Sequence, residues 1–198
     1  MTAPLFEFEP PEKGVKFTER QMLNHLHNRY GQLNAGNGPR YASAEHVKNQ
    51  AGFDAPRCAD FIAVDLWPGS GCALHGHEVK VSRSDWLHEL KQPEKAEAFK
   101  RYMDYWWLVV PDASIVKPGE LPDGWGLISL IRDKWPGRGL PNLDGHKLRI
   151  KIQAPRLTPE PLPREMLATL MRSCARTAKR RSHDTYCAAE PCNHGWVQ

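Results

Sequence analysis

No stretch of this 198-residue sequence is apolar for long enough to cross a bilayer. Its longest apolar runs, Trp106–Val110 and Gly126–Ile131, fall far short of the roughly 20 residues that a membrane helix needs. The N-terminus, MTAPLFEFEPPEK, carries acids where a secretory leader has a basic segment followed by an apolar one. No signal peptide is therefore expected, and the default compartment is the cytoplasm. Cysteines are few and odd in number, five in all, which argues against a disulfide framework. Neither sign of charge dominates: the net charge of +4 and a pI of about 8.8 permit a nucleic-acid partner without requiring one. No internal repeat is visible.

What is present is enough hydrophobic sequence for one core, and seven tryptophans. After a Pro-rich lead-in, FTERQMLNHLHNRYGQL predicts a helix, with Thr18 as its N-cap and Met22, Leu23, Leu26 and Tyr30 on one face. Residues 41–56 are open between a strand and a short helical turn. ADFIAVDLW and ALHGHEVKVS, joined by PGSG, predict a β-hairpin. SRSDWLHELK then starts a helix capped by Ser82 or Ser84, and Pro93 is expected to open a second one. YWWLVVP is short and wholly apolar, as in a strand covered on both faces. GWGLISLI and KLRIKIQA predict two more strands, and EMLATLMRSCARTAKRRS a basic amphipathic helix. The order predicts an α/β fold.

The hairpin carries the chemistry. Side chains alternate along a strand, so Glu78 and Lys80 share a face. With the turn centred near residues 69–70, paired positions add up to about 139, which sets Asp60 opposite Glu78, Val79 or Lys80 at the open end. Asp65 has the opposite parity and should point away. Two carboxylates beside a lysine suit Mg²⁺, which takes one or two protein carboxylates and keeps water and phosphate oxygens. The lysine can orient the attacking water or steady the phosphate as a point charge. The same residues could equally form an ordinary cross-strand ion pair.

The set RCADFIAVDLW, HGHEVKVSRSDWLHELKQPEKA, YWWLVVP and ELPDGWGLISL resembles the PD-(D/E)xK nuclease superfamily, and more closely the MmcB-like branch of DNA repair nucleases in the form found in actinobacterial phages. The likeness spans about residues 18–155. It implies a restriction-endonuclease-like core: a helix, a mixed central sheet bearing the Asp and Glu-x-Lys hairpin, flanking helices, and here a C-terminal basic helix. The domain expected over 18–155 follows a lead-in of 1–17 and precedes the basic helix at 156–182 and a Cys/His tail at 183–198. The resemblance makes Asp60 and Glu78 catalytic metal ligands for Mg²⁺ or Mn²⁺, joined by the Val79 main-chain carbonyl and by Glu19 on the first helix, with Lys80 as the catalytic lysine. DNA is the implied substrate, processed in the cytoplasm, or in that of the host for a phage-encoded chain. One departure is Ala59, where the superfamily motif has proline.

Arg83 and Lys91, or Ser82 and Ser84, could contact DNA at the helix start, although capping explains the serines as well. Asp85 is a further acid that could stand near the metal. The basic residues Arg172, Arg176, Lys179 and Arg180 could meet phosphates or form a solvated face. Trp86, Trp106 and Trp107 could stack on bases, though the run reads as core and Trp86 as a helix-packing residue. His183, Cys187, Cys192 and His194 could close a structural Zn²⁺ site, against a disordered tail with incidental ligands. Two rivals stand beside a DNA-cutting enzyme: a degenerate nuclease fold that binds DNA or a repair partner, and a zinc-tailed DNA-binding regulator. A homodimer is left open.

Overall fold

The computed structural model of the chain describes residues 10–12, 15–31, 33–34, 38–49, 57–132 and 145–189. Helix α1 (Glu19–Tyr30) begins with a reciprocal capping box: Thr18 accepts from the Gln21 N–H, and the Gln21 side chain accepts from the Thr18 N–H. Strands β1 (Leu33–Asn34) and β2 (Gly38–Pro39) form a small antiparallel pair. The ambiguous stretch opens as strand β3 (Tyr41–Lys48), which pairs antiparallel with β4 (Cys58–Asp65). Then come β5 (Leu74–Val79), α2 (Arg83–Leu90), α3 (Glu94–Lys100), β6 (Tyr105–Val110), β7 (Trp125–Arg132), β8 (His146–Ile152) and α4 (Arg164–Ala189). The fold is α/β: among the described residues four α-helices surround one mixed six-stranded sheet of order β3-β4-β5-β6-β7-β8. The pairs β5–β6 and β6–β7 are parallel and the others antiparallel.

The sheet is covered on both faces. Met22, Leu23 and Leu26 of α1 join Phe61, Val79, Trp107 and Val109 on one side. Trp86, Ala96, Phe99, Met166 and Leu170, from α2, α3 and α4, join Ile62, Trp106, Leu108 and Val110 on the other. Alternation along β6 thus sends its two tryptophans into opposite layers, which is why YWWLVV is apolar throughout. Two glycines make room for them. A Cβ on Gly76 would meet the Trp106 ring at 2.2 Å, and one on Gly126 would meet the Trp107 ring at 2.5 Å. Each glycine sits directly across from its tryptophan in the ladder.

Two expectations shift. Pro93 is the N-cap of α3 and Glu94 its first residue, one place later than expected; the proline ring still supplies a helical φ of −62°. Helix α4 runs on to Ala189, because SHDTYCAA holds neither proline nor glycine to stop it before Pro191. The proposed zinc ligands His183, Cys187, Cys192 and His194 lie outside the residues whose side chains are described. Among the described residues no helix is long and apolar enough to cross a membrane.

Candidate active site

The β4–β5 ladder runs from Val64↔Leu74 to Phe61↔His77, so paired numbers add up to 138, and the register carried one residue further sets Asp60 against Glu78. There the strands part. The Val79 N–H donates to the Asp60 Oδ2 at 2.8 Å, and the Lys80 N–H turns to the Val109 carbonyl on β6 at 3.0 Å. Asp60 therefore stands where a strand would have offered a backbone acceptor, at the mouth of the hairpin. Lys80 Nζ lies 2.5 Å from Glu78 Oε1 and 3.1 Å from Glu89 Oε2. Asp65 points away and binds Arg40 at 3.0 Å and the Trp67 N–H at 3.1 Å.

Glu89 is the acid that sequence reasoning missed. It lies on α2 three residues past Trp86, so the helix turn that buries the indole also brings the carboxylate inward. Its Oε1 is buried without a hydrogen-bond partner. Asp85, the further acid that could have stood near a metal, is exposed and belongs to the helix start, where its N–H donates to Ser82 Oγ at 3.2 Å.

On the other flank of Asp60 stand Glu19 and His46. Glu19 is the first residue of α1, fixed by the Thr18 cap. His46 lies on β3 between the pairs Glu45↔Phe61 and Val47↔Ala59, which sets it across from Asp60. Its φ is +48°, in the left-handed region that few residues other than glycine occupy. One ligand atom from each of Glu19, His46 and Asp60 falls within 4.8 Å of the others. Two carboxylates and an imidazole make a donor set that a divalent cation can accept.

The electrostatics agree with a shortage of positive charge. Burial pushes the Asp60 carboxyl up to about 6, against the Val79 hydrogen bond and the Lys80 charge that pull it down. Burial and the neighbouring Asp60 push Glu78 up to about 8, despite Lys80. Burial disfavours the Lys80 ammonium, but Glu78, Glu89 and Asp60 outweigh it and raise its pKa above the ordinary value. Lys80 is therefore a firm cation. Beside Glu78 opens a cleft of about 90 Å³ whose rim carries Arg57 and Lys95 over Ala96, Phe99 and Trp106.

The other candidates divide. The Arg83 guanidinium grips the Glu120 carboxylate and the Ile115 carbonyl, at 2.8 Å from the latter. Arg180 pairs with buried Glu45 at 2.6 Å. Both are thereby drawn into the protein's own ion pairs. Lys91, Arg172 and Arg176 are exposed; Lys179 is exposed and already engaged within the chain. Trp86, Trp106 and Trp107 are all buried, at 0%, 0% and 3% exposure, so none offers a face to a base.

The chain is similar in fold to a solved structure described as the SPO1766 protein of unknown function from Silicibacter pomeroyi. The TM-score is 0.51 at 20% identity, over 93% of this chain and 100% of that one. No protein-family model and no curated protein matches the chain.

Proposed function

We propose that this protein is a divalent-metal-dependent nuclease that hydrolyses DNA phosphodiester bonds, built on a restriction-endonuclease-like hairpin. The observation that carries the reading is the convergence of Asp60, Glu78 and Lys80 where β4 and β5 part, with the lysine held between Glu78 and Glu89. Asp60 and Glu78 would hold Mg²⁺ or Mn²⁺, with Glu19 at hand. When bound, such an ion polarises a phosphoryl oxygen and lowers the pKa of a coordinated water. The Val79 N–H fixes the Asp60 carboxylate, so its ligand orientation is set before any cation arrives. Lys80, kept charged by its acidic neighbours, acts as a point charge on the phosphate and not as a general base. Of its three N–H donors, Glu78 and Glu89 take two, which leaves one for a phosphate oxygen or the attacking water.

One observation favours a non-cutting, DNA-binding form of the same fold: Lys80 pinned between two carboxylates is also the arrangement of a structural ion pair. Cleavage separates the two. Plasmid, linear, single-stranded and branched DNA are incubated with the full chain in Mg²⁺, Mn²⁺ or EDTA. The nuclease reading expects cutting that needs the metal. If no substrate is cut with either ion, or if Asp60→Ala and Lys80→Ala cut as well as the wild type, the reading fails.

A further inference from the structure

We infer that His46 is an imidazole ligand of the divalent-metal centre, together with Asp60 and Glu19, and that this centre prefers a first-row transition-metal ion to Mg²⁺. The inference rests on the metal of the nuclease reading, and adds which side chain holds it and which ion it selects. The ligand atoms of the three residues lie within 4.8 Å of one another. Around one octahedral ion with bonds of about 2.1 Å, ligand atoms stand ~3.0–4.2 Å apart, so closure needs only a side-chain adjustment. Glu19 and His46 can make it, since their side chains are 51% and 47% exposed.

The backbone explains why the imidazole faces this way. Ala44 and Val47 both join the core layer of α2, α3 and α4, although three residues apart they should face opposite sides of a regular strand. The break falls between them, at the positive φ of His46. With Glu45 held by α1 and α4, and Val47 by the core, the ring is directed towards Asp60 and the start of α1. Its ion-pair contact among the described residues is Glu19, at 3.9 Å, longer than a hydrogen bond. An imidazole nitrogen suits borderline first-row ions, whereas Mg²⁺ is held by oxygen ligands.

The test uses the full chain and Mn²⁺ as a spectroscopic probe. Binding is followed by loss of the free-Mn²⁺ electron paramagnetic resonance signal, competition by Mg²⁺ gives the preference, and pulsed measurements read ¹⁴N coupling to the bound ion. His46→Asn and His46→Asp both accept a positive φ and keep the fold testable. The wild type is expected to show ¹⁴N coupling and to bind Mn²⁺ at least about tenfold more tightly than Mg²⁺. Both variants should lose the coupling, and His46→Asp should lose most of the preference. Bound Mn²⁺ without ¹⁴N coupling, or coupling that survives in His46→Asn, overturns the inference while leaving metal-dependent cleavage standing. Failure to bind Mn²⁺ at all overturns it too, and if cleavage is also absent the nuclease reading falls with it.

Discussion

Glu45 on β3 and Glu78 on β5 are both buried carboxylates of one sheet, yet burial acts on them with opposite results. Glu45 receives Arg20 at 2.8 Å, Arg180 at 2.6 Å and the His27 Nε2 at 2.5 Å. Burial alone would raise its pKa, but these donors outweigh it and hold the carboxyl far below the ordinary range. Burial also lowers the His27 pKa, against the pull of the Glu45 hydrogen bond. At the mouth of the β4–β5 hairpin the ratio is reversed. Asp60, Glu78 and Glu89 gather round one ammonium, Lys80, and the Asp60 and Glu78 carboxyls are pushed up. The first cluster is closed and ties α1, β3 and α4 together. The second lacks about the charge that one divalent cation carries, which is why it reads as a site.

The sharpest way to break this contrast is to remove its members. Lys80→Ala and Asp60→Ala should lower metal-dependent cleavage by roughly 10²–10⁴-fold, the range lost when a proton-transfer or charge-stabilising group is deleted. Glu89→Gln, which keeps the shape but not the charge behind Lys80, should cost about tenfold. Circular dichroism should stay native in all three. Variants that fold and cut like the wild type would make the hairpin cluster as structural as the Glu45 one.

Metal-free stability should then depend on pH in opposite senses at the two clusters. Asp60 and Glu78 titrate higher in the fold than the usual carboxylate values of 3.8 and 4.5, so the folded state binds more protons. Their contribution falls as pH rises from about 4 through about 6 for Asp60 and about 8 for Glu78. A divalent ion relieves that loss once it need not displace protons. At a hundred times its Kd it should stabilise by about 2.7 kcal/mol, ~5–11 °C in Tm for a chain of this size. The gain should be large at pH 8 and small at pH 5, read by thermal denaturation with and without Mn²⁺. A shift independent of pH would uncouple the ion from these acids.

For Glu45 the sign is reversed. Its folded pKa is depressed, so its stabilisation is present above the ordinary value of 4.5 and drains away as pH falls towards the folded one. Glu45→Gln should cost about 2 kcal/mol at pH 7, or ~4–8 °C in Tm, for the loss of charge-assisted hydrogen bonds. Wild type and variant should converge on acidification. A constant difference down to low pH would mean that packing, not charge, holds the cluster.

Why one cluster was legible in the sequence and the other was not follows from how each is assembled. Asp60, Glu78 and Lys80 sit on one hairpin, where a turn and a period of two fix who faces whom; a sum of about 139 leaves Glu78, Val79 and Lys80 open opposite Asp60, and the observed sum of 138 selects Glu78. Local signals served equally well at the Thr18 and Ser82 caps and in YWWLVV. Glu45 could not be read this way, because its partners come from residues 20, 27 and 180. Glu89 carries no local signal, because its partner Lys80 follows strand β5 and does not lie on its own helix. The left-handed turn at His46 has no glycine or asparagine to announce it. Arg83 meets Glu120, thirty-seven residues away, which no spacing rule foresees.

The smallest effects concern the arginines, and they test whether exposure separates those open to a partner from those already engaged. Arg176 is exposed on α4, and among the described residues it donates a hydrogen bond to Ser173 at 3.2 Å. Its charge and that of Lys48 both reach Cys58, which lines the cleft beside Glu78, so Arg176 stands on the same side of the protein as the candidate site. Arg176→Ala should reduce the slope of log affinity against log salt by about one and weaken DNA binding a few-fold without changing sequence preference. Arg83→Ala should leave that slope unchanged, because its guanidinium is already committed to Glu120, and should show itself in a modest loss of Tm. Binding isotherms across a salt series on an Asp60→Ala background, where the DNA survives, decide between them. Equal slopes for both variants would mean that intramolecular pairing does not withdraw an arginine from the DNA surface.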